Sequence, residues 1–392
     1  MKKIYFDYAS TTPVDPRVKK AMNPYFAEKF GNTMSLHSFG QEAKLALEES
    51  RETVAGLIKA KPNEIIFTGS ATESNNLALK GVALASLSRE RSGLAKGKGG
   101  HIIISSIEHP CVVESAEWLK KQGFEITKIK VDKNGLVNPV DVEKAIKNNT
   151  VLVSIIHASN EIGTIQPIAE IGKVCRQKKV LFHTDASQSF GKIPIDVNKM
   201  NIDLFTASSH KIYGPKGAAL LYIKEGVKIE PILHGGGQES GLRSSTINIP
   251  AIVGFAKACE IYKKEVGEEN KKLAGLRDKL IKGVLKIEGS HLNGDPKQRL
   301  SNNANFRFDF IEGESLVIQL DLKGIAASTG SACSSMKLEP SHVLLAIGLR
   351  PEQAHGSLRI SFGRWTTEKE INYFLKILPG IIKQLRKISP FK

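Results

Sequence analysis

Apolar residues in this chain gather into short runs of strand length, and these alternate with longer amphipathic stretches. Residues 64–68, 101–105, 124–131, 151–157, 180–184, 203–207 and 218–224 are mostly apolar, which predicts seven strands. Between them, residues 74–88, 110–122, 139–147 and 167–178 carry helical periodicity. The last three open on Pro110, Pro139 and Pro167, where the missing N–H costs a helix nothing. Repeated β–α units imply an α/β fold, a largely parallel sheet covered by helices on both faces. After about residue 249 the rhythm changes. A long charged amphipathic helix is predicted over 251–287, then strands near 303–310 and 357–362, which marks a second, α+β domain. The basic, glycine-containing stretch 88–100 reads as a solvated connection.

Composition narrows the class. A chain of 392 residues with 41% hydrophobic and 24% charged positions is an ordinary globular sequence of about two domains. At the amino terminus, MKKIYFDYASTTP, Asp7 arrives before any useful apolar run, so no export signal is read. No run approaches the roughly 18–20 apolar residues of a membrane helix, and a cytoplasmic protein without membrane contact is expected. The formal charge of +16 is spread along the chain, with no arginine-rich arm and no aromatic RNA-binding motif. It reads as a solvated basic surface that steers encounters, and no stable nucleic-acid binding is expected. Cys111, Cys175, Cys259 and Cys333 form no CxxC pair, so neither a zinc site nor a disulfide framework is indicated. The first three lie in apolar or helical surroundings and read as core thiols; Cys333 lies in a Gly/Ser-rich stretch.

The chemistry gathers at predicted strand ends. Ser208, Ser209, His210 and Lys211 follow the run DLFTA and precede IYGPKG, so Lys211 stands between a strand and a Gly/Pro turn, where sites of α/β sheets cluster. A lone lysine in a loop is ordinarily solvated. Held among cationic or apolar neighbours it can lose its proton and form a Schiff base. Asp185 closes the run VLFHTD, where a carboxylate can cap a helix or pair with a protonated pyridine nitrogen. TGSATES, residues 68–74, joins a strand to a helix; its small residues and free N–H groups suit a phosphate, although it also reads as a capped turn. Together these parts point to pyridoxal 5'-phosphate on Lys211. His37, His101, His157 and His183 show no metal-ligand spacing and read as structural. HGGG at 234–237 reads as a close-packed turn.

DYASTTP, ATESNN, EHPCVV, SNEIGTIQP, HTDASQS, SSHKIYGPKG, HGGGQE, GLRSST, EGES, STGSACSS and LRISFGR run through the whole chain. In these pieces the sequence resembles the NifS/IscS-type cysteine desulfurases of the class V aminotransferase group, pyridoxal-phosphate enzymes of fold type I. The resemblance implies a large domain over 15–257 with a mostly parallel seven-stranded sheet, and a smaller α+β domain from 1–14 and 258–392. It implies that Lys211 binds the cofactor covalently and shuttles protons, that Asp185 pairs with the pyridine nitrogen, that Gln188 contacts the ring oxygen and that His109 stacks on the ring and handles protons. Ala71, Thr72, Ser208, Ser209 and His210 would hold cofactor and phosphate, with Thr246 from the neighbouring subunit of a homodimer. Asn160 and Arg359 would orient cofactor or the carboxylate of L-cysteine; the planar fork of arginine suits that task. Cys333 would take the sulfur as a persulfide, releasing L-alanine.

The same resemblance implies an IscU-like iron–sulfur scaffold protein as acceptor and tRNA-thiolation proteins as a second outlet. No metal is implied in the free enzyme, while Cys333 remains a candidate ligand of a cluster shared with the scaffold. Selenocysteine lyase, or another β-elimination on the same scaffold, is the alternative within the enzymes. A basic RNA-binding or scaffold protein with an inactive site is the alternative outside them. Ser159, Ser209 and Ser245 stand where Asn, Gly and Gly are frequent in the family, and GNTMSLHSFG replaces a GNPSSxHxxG-like segment. If the usual glycine at 245 serves a backbone with positive φ, serine there would be strained.

Overall fold

The computed structural model describes residues 3–87, 99–330 and 340–389. The chain opens with β1 (Ile4–Tyr5), α1 (Pro16–Met22), α2 (Pro24–Ala27) and α3 (Ser38–Ile58). The expected alternation follows: β2 (Ile65–Thr68), α4 (Ala71–Leu87), β3 (His101–Ser105), α5 (Pro110–Lys121), β4 (Glu125–Ile129), α6 (Pro139–Ala145), β5 (Thr150–Ser154), α7 (Ile168–Lys178), β6 (Leu181–Asp185), β7 (Leu204–Ser208) and β8 (Ala219–Ile223). All seven predicted strands are present, displaced at their ends by no more than three residues. The largest displacement is in β5, which stops at Ser154 although Ile155 and His157 still donate to His183 and Asp185.

These strands form one sheet in the order β2-β8-β7-β6-β5-β3-β4. Six run the same way, and β8 lies antiparallel between β2 and β7. Successive side chains of a strand point to opposite faces, and here both faces are apolar. Ile65, Phe67, Ile103, Val153, Phe182 and Phe205 pack toward α3, α7 and the start of the next long helix. Ile66, Ile102, Ile104, Leu152 and Leu204 pack toward α4 and α5. Near-continuous apolar runs are therefore what this sheet requires.

The long helix is α8 (Ile249–Val284), followed by β9 (Ser290–Asn293), β10 (Asn303–Phe308), α9 (Gly313–Leu322), β11 (Ile325–Ala326), α10 (His342–Ala346), α11 (Pro351–His355), β12 (Ser357–Ser361) and α12 (Glu368–Ile388). An antiparallel sheet of order β12-β10-β9 and the parallel pair β1-β11 enclose a second core with α8, α9 and α12. One helix serves both cores. Phe255, Cys259 and Tyr262 of α8 join the first, and Leu273, Leu276, Leu280 and Val284 join the second. Between the cores Arg364 lies over Tyr213 and Tyr262, with ring centroids 4.6 and 5.5 Å away, while Glu269 accepts from both phenols. The amino-terminal segment threads the same junction. Ser361 donates to Phe6 O, Thr12 to His210 O and Asp15 to Tyr213 O, so residues 7–10 lie beside the turn that carries Lys211.

Candidate active site

The ends of the parallel strands deliver their chemistry to one cavity of about 300 Å³, a volume suited to a small ligand. After β7 the chain enters the tight turn Ser209–Lys211. Gly214 is required behind it, because any Cβ there would stand 2.0 Å from Ser209 Oγ. The turn presents Lys211, whose Nζ donates to Ala9 O at 2.6 Å and Ser10 O at 2.7 Å. Burial, with Arg359 and Lys192 adding like charge, lowers Lys211 to about 7. Its neighbour His210 is lowered to about 3 by burial and the charges of Lys211, Lys216 and Lys192, and so is neutral.

β6 ends on Asp185, 4% exposed. Its Oδ1 accepts from Ser187 N at 2.9 Å and Ser187 Oγ at 2.6 Å, which is the turn-stabilising role open to any aspartate at a strand end. Its Oδ2 accepts from Asn75 Nδ2 at 2.7 Å. After β3 the chain reaches His109, the N-cap of α5, whose Nδ1 accepts from the backbone of Cys111. After β2, Ala71 and Thr72 open α4, so their N–H groups have no partners within the helix. Glu73 in the same turn is neutralised by Arg243, 2.6 Å away. Arg359 of β12 is 2% exposed. It donates to Asn160 O at 3.0 Å, Gly330 O at 2.6 Å, Asp7 Oδ1 at 2.7 Å and Ser10 Oγ at 2.9 Å.

Ala71, Thr72, His109, Asn160, Asp185, Gln188, His210, Lys211 and Arg359 thus line the one cavity. Gln188 donates to Ala9 O at 2.8 Å. Ser208 and Ser209 are buried behind it and do not line it, and the Ser209 hydroxyl has no partner. Thr246 is exposed and outside it. Ser245 does not have a positive φ, so the strain expected from serine at that position does not arise. Cys333 lies outside the described residues. Among the described residues no cluster of three or more His, Cys, Asp or Glu could hold a metal ion.

Sequence reasoning missed two contributors. Cys111, read as a core thiol, is buried but lines the cavity; Asn75, one position inside ATESNN, supplies the contact to Asp185. Cys175 and Cys259 are core thiols. The histidines read as structural are held by hydroxyls or the backbone. His101 meets Thr150 and Thr127, His157 meets Ser189, His183 meets Ser154 and Thr206, and His37 caps α3.

Comparison with known proteins decides the ancestry of this arrangement. Residues 4–374 match the model of the family described as aminotransferase class-V. The chain belongs to that family. Within the class V aminotransferases it is 52% identical over 386 residues to cysteine desulfurase IscS 1 of Archaeoglobus fulgidus, covering 98% of each chain. That places it among the NifS/IscS-type cysteine desulfurases. A NifS-like protein of known structure superposes with a TM-score of 0.90 at 40% identity, over 98% of this chain and 100% of the other. SspA, solved in complex with cysteine, superposes with a TM-score of 0.78 at 38% identity, over 93% and 100%. The fold is accordingly fold type I of the pyridoxal-phosphate enzymes, and the chain is an enzyme of that class. The cavity fits such a cofactor by its donor set: an amine lowered to about 7, a buried carboxylate and a helix N-terminus meet in one space of the right size.

Proposed function

We propose that this cysteine desulfurase uses pyridoxal 5'-phosphate to convert L-cysteine to L-alanine, leaving the sulfur as a persulfide on Cys333. The observation that carries the reading is the convergence of Lys211, Asp185, His109 and Arg359 on one cavity. Lys211 would hold the cofactor, Asp185 its ring nitrogen, and the first turn of α4 with Thr72 and His210 its phosphate. The cofactor, when bound, supplies an electron-withdrawing ring that acidifies the substrate's Cα–H and opens its sulfur to attack.

The chain's own residues do the rest. Arg359 binds the substrate carboxylate as a planar fork. Lys211, lowered to about 7, is partly uncharged at neutral pH and can accept and return a proton. His109 exchanges protons at the cavity wall. The thiolate of Cys333 attacks the substrate sulfur; a C–S bond breaks, an S–S bond forms, and protons return to carbon, so that cysteine and thiol become alanine and persulfide with no external oxidant. The small residues flanking Cys333 in STGSACSS suit a thiol that accepts sulfur inside and delivers it outside.

The proposed setting is a cytoplasmic homodimer in which Thr246 reaches the neighbouring cavity. A cofactor-holding domain over 15–257 would be joined to a smaller domain from 1–14 and 258–392. Sulfur would pass to an IscU-like iron–sulfur scaffold and, as a second outlet, to tRNA-thiolation proteins. The test is Cys333→Ala. Wild-type protein given L-cysteine should release alanine and carry one extra sulfur on the peptide containing Cys333, and the variant should lose both the mass increase and sulfur transfer. Full-rate sulfide release by Cys333→Ala would overturn the persulfide step.

A further inference from the structure

Beside the reactive groups lies a chain of hydrogen bonds that the reaction as described does not use. It starts at Asp185, whose Oδ2 takes one amide proton of Asn75 at 2.7 Å. The same amide nitrogen lies 3.1 Å from Cys111 Sγ, and that sulfur lies 3.0 Å from His109 Nδ1. The backbone N–H of Cys111 also donates to Nδ1, at 3.2 Å.

The directions of these bonds follow from the inventory of donors. A carboxylate only accepts, so Asn75 faces it with nitrogen and cannot be turned end for end without setting Oδ1 against the charge. Both amide protons are then committed, one to Asp185 and one to sulfur, and Oδ1 is left buried without a partner. Nδ1 of His109 receives a backbone N–H and is therefore an acceptor, so the thiol proton of Cys111 also points at it. The thiol keeps that proton because burial, with Asp185 adding, pushes it up to about 12. Nε2 has no hydrogen-bond partner among the described residues.

We propose that Asn75 and Cys111 are positioning residues which lock His109 in its Nε2–H tautomer, tie it to Asp185, and confine its proton exchange to Nε2. The catalytic use of that lock rests on the function proposed above; the tautomer does not. Two donors aimed at Nδ1 favour the neutral ring. The charged or titratable groups around His109 are Asp185 at the end of β6, Lys211 after β7 and His342 of α10, besides Cys111 itself. Burial lowers its pKa most, Asp185 opposes, and Lys211 and His342 add to the lowering. Removing the thiol subtracts one donor and leaves this field in place.

The experiment is nitrogen-15 NMR of the full-length protein labelled at histidine, with the His109 signals identified by their loss in His109→Asn. Wild type should show Nδ1 unprotonated and Nε2 protonated through neutral pH. Cys111→Ala should raise the His109 midpoint by about half to one pH unit, the effect of losing one hydrogen bond to the neutral ring. Cys111→Ser, which restores a donor, should bring it most of the way back, and the core residues His101, His157 and His183 should not move in either variant. A wild-type His109 carrying its proton on Nδ1 would overturn the proposal without recourse to any variant. So would a Cys111→Ala protein in which tautomer and midpoint are unchanged. Failure of the wild-type protein to release alanine from cysteine is a separate result, which would end the desulfurase reading and leave the tautomer measurement standing.

Discussion

Burial lowers the pKa of Lys211, and it raises that of the residue just before His109. Glu108 is fully buried, with Oε1 accepting from Ser105 Oγ at 2.5 Å and Ile156 N at 2.8 Å and Oε2 without a partner. Burial raises its pKa from 4.5 to about 8; the two hydrogen bonds oppose the rise and the charge of Asp185 adds to it. An acid that holds its proton more tightly folded than unfolded contributes stability that is complete below about 4.5 and is lost as pH rises through about 8. Glu108→Gln keeps the Oε1 acceptor and cannot ionise. Its stability relative to wild type should therefore grow between pH 4.5 and 8 and level off above, reaching on the order of 5 kcal/mol. Urea denaturation of both proteins at a series of pH values checks this, and parallel curves would show that Glu108 is charged at neutral pH. The sequence made Lys211 and Asp185 legible because each stands at a strand end beside turn residues, while His109 was legible only through the family resemblance. It gave no sign of Glu108 or of the bridge through Asn75 and Cys111, since those depend on which groups from different strands face one another in the dark interior.

At the scale of elements, legibility followed hydrophobic period. Strands buried on both faces announced themselves as unbroken apolar runs, and α5, α6 and α7 by periodicity behind a proline. Ends were less clear: α4 begins at Ala71, three residues before the periodic run, because the small residues of the cradle can be helical without being apolar. In the loop after β8 the turn at 234–237 could be read, but not the conformation that follows it. Glu239 and Ser240 both adopt positive φ, 48° and 57°, a conformation that costs non-glycine residues energy. A buried ion pair holds them there. Arg51 of α3 meets both oxygens of Glu239 at 2.8 Å, and Phe67 N of β2 donates to the same carboxylate at 2.7 Å. Side chains of 10% and 1% exposure leave little water to take over either charge. Arg51→Met should thus destabilise the protein by about 3–5 kcal/mol, chiefly by stranding Glu239. Pairing it with Glu239→Gln should recover a large part of that loss in denaturation midpoints. A single variant within about 0.5 kcal/mol of wild type would mean that the pair does not hold the loop.

For the whole molecule, the informative surface is apolar rather than basic. Phe26, Phe30, Met34, Leu36, Phe39 and Leu45 are 64, 65, 60, 93, 51 and 60% exposed within one stretch of twenty residues. The rings of Phe30 and Phe39 meet at 5.6 Å, and monomers seldom leave large apolar patches in water. The stretch contains GNTMSLHSFG, the segment that departs from its family's usual form; Met34, standing where the quoted pattern has serine, adds to the apolar face. A second copy of the chain is the partner that the proposed cross-subunit role of Thr246 requires, and Thr246 is itself exposed and outside its own cavity. The charge of +16 on each copy opposes that association. Salt should therefore tighten the dimer, as screening shortens to about 8 Å near physiological ionic strength. Sedimentation should give twice the chain mass for wild type, and the chain mass for Phe30→Asp with Leu36→Asp. That double variant should keep its far-ultraviolet spectrum, since both side chains lie outside the cores, while losing cofactor affinity through the absent Thr246. A wild-type protein that stays monomeric at micromolar concentration and still desulfurates cysteine at full rate would remove Thr246 from the site and leave the apolar stretch for another occupant.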